Sequence, residues 1–98
     1  MLIGTPHYMA PEQIISKTDV DRRADVWALG VILYEMLVGE TPFEAETANG
    51  VLQLVKTRDV PPLSKVMKGV APEVEAVVAT CTARNREKRY ADAGNFVG

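Results

Sequence analysis

A mainly α-helical fold is what this sequence predicts, and three observations predict it. No stretch alternates apolar and polar residues with the period of a half-buried strand. One segment, ADVWALGVILYEMLVG over 24–39, has the length of a helix and closes on a glycine, where helices favour a left-handed residue. Two further segments, 47–57 and 71–83, carry helical spacing or helix-start signals.

Taken in order, the chain first reads GTPHYMAPE over 4–12. Residues before prolines avoid helical angles, so the stretch up to Pro11 is expected to be extended or looped. Pro11 suits the first position of a short helical turn. Residues 16–23 are polar and read as a loop, with Asp21 as the N-cap of the central helix. That helix, about 24–38, is apolar on nearly every face, interrupted only by Asp25, Tyr34 and Glu35. Such a helix is buried on all sides. A 98-residue chain has few elements with which to surround it. The expectation is therefore that this chain belongs to a larger fold, or that one face of the helix lies against something absent here. Gly30 costs about 1 kcal/mol of helix propensity relative to alanine, which a close packing contact would explain.

Residues 40–43 form a turn. The segment 47–57 places Val51, Leu52, Leu54 and Val55 as an amphipathic helix, and Pro61-Pro62 ends that stretch. Pro72 opens a helix over about 71–83 whose apolar face takes in Val74, Val77, Val78 and Cys81. A last helix is expected at about 91–98.

Composition narrows the function classes. At 98 residues, 47% apolar and 24% charged, the chain fits one small, ordinary soluble globular domain. A net charge of −2 argues against nucleic-acid binding. The basic run 84–89 reads as a solvated helix end or loop. Cys81 is the only cysteine, so no internal disulfide is possible, which fits a reducing compartment and a cytoplasmic location. Together with the single His7 it cannot build a zinc site, and no metal site is expected. Neither a signal peptide nor a membrane span is expected in this segment.

GTPHYMAPE, DVWALGVILYEMLVGETPF and NREKRY, in this order and spacing, resemble the C-terminal lobe of a eukaryotic-type serine/threonine protein kinase, from the end of the activation segment onward. The PPLS, PEVEAVV and KRYADA stretches resemble bacterial members. The resemblance covers essentially the whole chain and implies part of the helical C-lobe of a kinase-like fold, with the activation-segment end over about 1–14. It implies that Gly4, Thr5, Pro6 and Tyr8 form the shelf that receives the substrate next to its phosphorylated residue. Thr5 would hydrogen-bond toward the catalytic aspartate and lysine. Glu12 is implied to pair with Arg89. Buried, that pair would cost roughly 3–5 kcal/mol to break from one side; as surface charges the two would contribute under ~1 kcal/mol. Asp25 is implied to accept hydrogen bonds from catalytic-loop amides, while its plain reading is a favourable charge at a helix N-terminus. Trp27 and Gly30 complete an Asp-x-Trp-x-x-Gly pattern as packing residues. The last motif departs from the family's Leu-x-x-Asp-Pro-x-x-Arg: Thr82 stands for leucine and Asn85-Arg86 for Asp-Pro, a turn that asparagine can still make.

The sequence contains no G-x-G-x-x-G, no His-Arg-Asp and no Asp-Phe-Gly. Those are the parts that hold ATP and magnesium and direct phosphoryl transfer. The resemblance therefore implies ATP and Mg in the parent kinase and none in this chain. As a fragment it is expected to be inactive alone, its partners being a Ser/Thr protein substrate and the missing N-lobe and catalytic loop. The alternative is a non-catalytic kinase-like module that docks partners through the 4–8 shelf and the 47–57 helix. An apolar rod lacking neighbours is expected to promote self-association.

Overall fold

The computed structural model describes residues 6–15 and 21–90. It is helical, with no strand among the described residues. Five helices succeed one another: α1 (Pro11–Ile15), α2 (Arg23–Val38), α3 (Ala48–Thr57), α4 (Leu63–Val66) and α5 (Pro72–Cys81). Two single turns of 3-10 helix lie at Pro6–Tyr8 and Arg86–Lys88.

Helix α2 is the hub. It ends on Gly39, whose φ of 99° is left-handed and whose N–H donates to the Glu35 carbonyl at 2.8 Å. Two cores form against it. In the larger, Trp27 and Val31 of α2 pack with Ala10, Phe43, Val51 and Val55, so α2 meets α3 and the N-terminal segment. In the smaller, Tyr34 of α2 packs with Leu63 and Val78, which joins α2 to α4 and α5. Gly30 sits where α2 crosses α5. A Cβ there would lie 2.6 Å from Cys81 Cβ and 2.7 Å from Thr82 Cγ2, so only glycine admits this approach.

Burial of α2 is one-sided, against the expectation of a rod covered all round. Asp25, Ile32 and Met36 lie on one exposed stripe, with Leu37 beside it; Met36 is 74% exposed. The spacing of 7 and then 4 residues puts them on a common helix face. Among the described residues nothing packs over this face.

Helix α3 begins at Ala48, capped by the Thr47 hydroxyl, which accepts from the Gly50 N–H at 3.0 Å. Val51 and Val55 are buried and Leu52 and Leu54 partly so. Pro62 does more than end a stretch: it precedes α4, a turn whose first residue, Leu63, is buried. Helix α5 is shorter than 71–83: the backbone leaves helical angles at Thr82, whose hydroxyl donates to the Val78 carbonyl at 2.7 Å. Its buried face is Val78 and Cys81, whereas Val74 is exposed. The N-cap of α2 is Arg22, not Asp21. Asp21 lies one residue earlier, and its carboxylate accepts from the Arg23 backbone N–H at 2.9 Å and grips the Arg23 side chain. The expected helix at 91–98 lies outside the described residues.

Candidate functional site

The segment from Pro6 to Glu12 is not simply extended. Proline fixes φ near the value a tight turn needs, and Pro6–Tyr8 close a 3-10 turn with the Met9 N–H on the Pro6 carbonyl at 3.2 Å. Pro6 is buried, whereas His7 and Tyr8 are half-buried. The Tyr8 hydroxyl donates to Glu35 of α2. That hydrogen bond, aided by burial and the nearby Glu35 and Glu44 charges, raises the Tyr8 pKa above its ordinary value. His7 Nε2 lies 4.0 Å from Glu44. Gly4 and Thr5, the other two expected shelf residues, lie outside the described residues.

Next comes α1, whose start is sealed by its own sequence. Pro11 occupies the first position, where a missing N–H is harmless. Gln13 reaches back so that its Oε1 accepts from the Ala10 N–H at 2.7 Å, one half of a capping box. The resulting turn presents Glu12 toward Arg89.

The Arg89 side chain is fully satisfied. A guanidinium has five N–H donors in a fixed fork, and each has an acceptor here. Nη1 and Nη2 donate to the two Glu12 carboxylate oxygens at 2.7 and 2.9 Å. Nη1 also reaches the Arg23 carbonyl at 3.0 Å, Nη2 the Arg84 carbonyl at 3.2 Å, and Nε the Ala83 carbonyl at 2.6 Å. The Arg89 side chain is 0% exposed and that of Glu12 is 15% exposed. The guanidinium carbon stands 5.0 Å from the centre of the Trp27 ring, and Trp27 stacks on Phe43 with 6.4 Å between centroids and 3° between planes. A cation over the indole face is favourable. The Trp27 indole N–H is buried without a hydrogen-bond partner.

Asp25, in the first turn of α2, is exposed on the bare stripe with Ile32 and Met36. Its charge suits the helix N-terminus.

The loop before Arg89, whose charge run suggests a solvated segment, is held by its own side chains. Asn85 makes the turn expected of it, its Oδ1 accepting from the Glu87 N–H at 2.9 Å. Glu87 pairs with Arg23 at 3.0 Å, and Arg23 with Asp21 at 2.6 Å. Those bonds pull the Asp21 carboxyl down to about 2 and push Arg23 up. Arg84, partly exposed, reaches across to the end of α3, where it donates to the Val55 and Arg58 carbonyls at 2.7 and 2.6 Å and to the Lys56 carbonyl. The Gln13 cap could be read from a glutamine two residues after a helix-opening proline; the Arg84 contacts had no local signal.

Among the described residues no group of three His, Cys, Asp or Glu is placed to hold a metal. No described helix is long and apolar enough to cross a membrane. The arrangement is suited to holding a short backbone segment, 6–12, in a fixed shape against a helical core.

Comparison with known proteins gives the family. Residues 1–94 match the protein kinase domain family. The chain is similar to the serine/threonine-protein kinase PknL of Mycobacterium tuberculosis, 42% identical over 93 residues, which is 95% of this chain and 23% of the relative. It is also similar to the serine/threonine-protein kinase Pkn1 of Myxococcus xanthus, 42% identical over 96 residues, 98% of this chain and 14% of the relative. The serine/threonine-protein kinase PknB of Mycolicibacterium smegmatis is 44% identical over 96 residues, 97% of this chain and 15% of the relative. The chain thus spans less than a quarter of the length of these relatives.

Proposed function

Because this chain belongs to the protein kinase domain family, we propose that the whole protein carrying it transfers the γ-phosphoryl group of ATP to serine and threonine hydroxyls of other proteins. The observation that carries the reading is the clamp between Glu12 and Arg89. It ties the segment expected to receive a substrate to the far end of the helical core, at 2.7 and 2.9 Å through a buried guanidinium. A receiving shelf must hold its shape to place a hydroxyl for attack, and positioning of this kind is where phosphoryl transfer obtains much of its rate.

In this reading Gly4, Thr5, Pro6 and Tyr8 line the shelf, while Glu12 and Arg89 hold it. Asp25 orients a catalytic loop that covers the bare stripe of α2, and Trp27 and Gly30 pack the core beneath. ATP and magnesium supply the phosphoryl group and neutralise its charge, and they are held by parts of the kinase whose motifs this sequence lacks. These 98 residues alone transfer no phosphate. Isolated, they associate through the bare stripe. The site of action is the cytoplasm.

The test is direct. The full-length protein, given labelled ATP, magnesium and a basic protein substrate, is expected to label serine or threonine, and the isolated chain is expected to give only the buffer background. No label from the full-length protein overturns the kinase reading; label from the chain alone overturns its inactivity. A second reading, a non-catalytic docking module, is favoured by the exposed Ile32, Met36 and Leu37. It gains if the full-length protein labels nothing yet still binds a protein partner.

A further inference from the structure

The Arg84 side chain does something the clamp does not require. A helix ends with carbonyls that no following turn can satisfy. At the end of α3, the Leu54 carbonyl takes the Arg58 N–H at 2.8 Å. The Val55 and Lys56 carbonyls, with that of Arg58 just beyond, all receive the Arg84 guanidinium. Asp59 stands 3.7 Å from Arg84 Nε and steadies the charge. A cation there also suits the negative end of the helix dipole.

The same residue touches the clamp from its other end. Its backbone carbonyl accepts from Arg89 Nη2 at 3.2 Å, on the nitrogen that also holds Glu12. Helix α3 in turn packs on the Pro6–Tyr8 turn and on α1. Val51 and Val55 lie in the core that Tyr8, Ile14 and Leu54 flank. The shelf therefore has two supports: the Glu12–Arg89 pair, and the flank of α3. Arg84 bonds to both, by its main chain to the first and its side chain to the second.

We infer that Arg84 is a positioning residue for protein-substrate binding. It fixes α3 against the clamp and thereby sets the placement of the Pro6–Tyr8 shelf. The substrate part of this inference rests on the kinase reading above; the mechanical part does not. A lysine can donate at the same helix end, but it lacks the planar fork that spans three carbonyls.

The experiment uses the full-length protein with Arg84→Met, which keeps the stem and removes the donors, and with Arg84→Lys. Amide hydrogen exchange is followed over 54–58 and over 6–9, and the KM values for protein substrate and for ATP are measured separately. For Arg84→Met, exchange is expected to quicken about tenfold in both segments, the size expected for losing hydrogen bonds to a charged group. The substrate KM is expected to rise by a similar factor, with the KM for ATP unmoved. Arg84→Lys is expected to recover part of both effects in parallel. Quickened exchange confined to 54–58, with 6–9 and the substrate KM unmoved, overturns the inference and leaves Arg84 a plain helix cap. A rise in both KM values together overturns it as well, because that marks general loosening. If the wild-type protein transfers no phosphate, the kinase reading fails, and exchange over 6–9 still decides whether Arg84 holds the shelf.

Discussion

Arg89 and Glu12 lie 77 positions apart and meet through both carboxylate oxygens, with the guanidinium sealed under the Trp27 ring. Removing one partner strands the other charge. Arg89→Ala is expected to cost about 3–5 kcal/mol, a large share of the stability of a small domain. It also leaves the Arg23, Ala83 and Arg84 carbonyls without their donor. Glu12→Gln, which keeps one acceptor oxygen, is expected to cost less. Urea unfolding of the three proteins checks the order, and an unchanged midpoint in Arg89→Ala would show that the pair contributes nothing.

Gly30→Ala ought to help a helix by about 1 kcal/mol on propensity alone. Here the new methyl meets Cys81 Cβ at 2.6 Å and Thr82 Cγ2 at 2.7 Å. Overpacking costs about 1–3 kcal/mol, so the melting temperature is expected to fall by several degrees. Thr82→Ser in the same background removes one of the two clashes and should restore part of the loss. A melting temperature that rises on Gly30→Ala would mean that α2 and α5 are not in this contact.

Burial pushes the Cys81 thiol up to about 11, against a smaller opposing pull from Arg89. The folded value lies above the unfolded one, so the neutral thiol's contribution is fully present below about pH 8.5. It is lost as pH rises through about 11. Cys81→Ala is expected to flatten the fall of stability with pH between those limits by the slope of one proton. Equal slopes in the two proteins would show that the thiol titrates as it does in the unfolded chain. A thiol reagent at neutral pH should react with the native chain only as fast as it opens.

The bare stripe of α2 should make the isolated chain associate. Sedimentation over a range of concentrations is expected to show an average mass that climbs, and Met36→Gln with Ile32→Gln is expected to suppress the climb. Ideal monomer behaviour in the unsubstituted chain would count against the stripe as a contact surface.

Much of the architecture could be read from local rules. Gly39 closes α2, Thr47 caps α3 and Pro72 opens α5, each a decision made within one turn of chain. What could not be read was whatever depends on a distant partner. Helix α2 is apolar on so many faces that the pattern does not reveal which one stays uncovered; of its polar interruptions only Asp25 lies on that stripe. The run at 84–89 looks alike whether its charges meet water or protein. In the structure Arg84 bonds across to α3, Arg89 is sealed in the core, and Lys88 stays exposed. The pairing of Glu12 with Arg89 came from resemblance, since 13 acidic and 11 basic residues offer too many combinations for spacing to choose among. Between extended and looped for residues 6–8 the sequence does not choose, because proline serves tight turns and extended chain equally well at the level of φ.

The 77-residue span of the clamp orders events during synthesis. At roughly 5–20 residues per second, Glu12 is made about 4–15 s before Arg89 is added. Through that interval the Glu12 carboxylate has no guanidinium to meet. Until the guanidinium has cleared the ribosome, 6–12 has only the flank of α3 and the Tyr8 bond to α2 to hold it, so translational pausing between these codons lengthens the period in which chaperones and proteases have access to it.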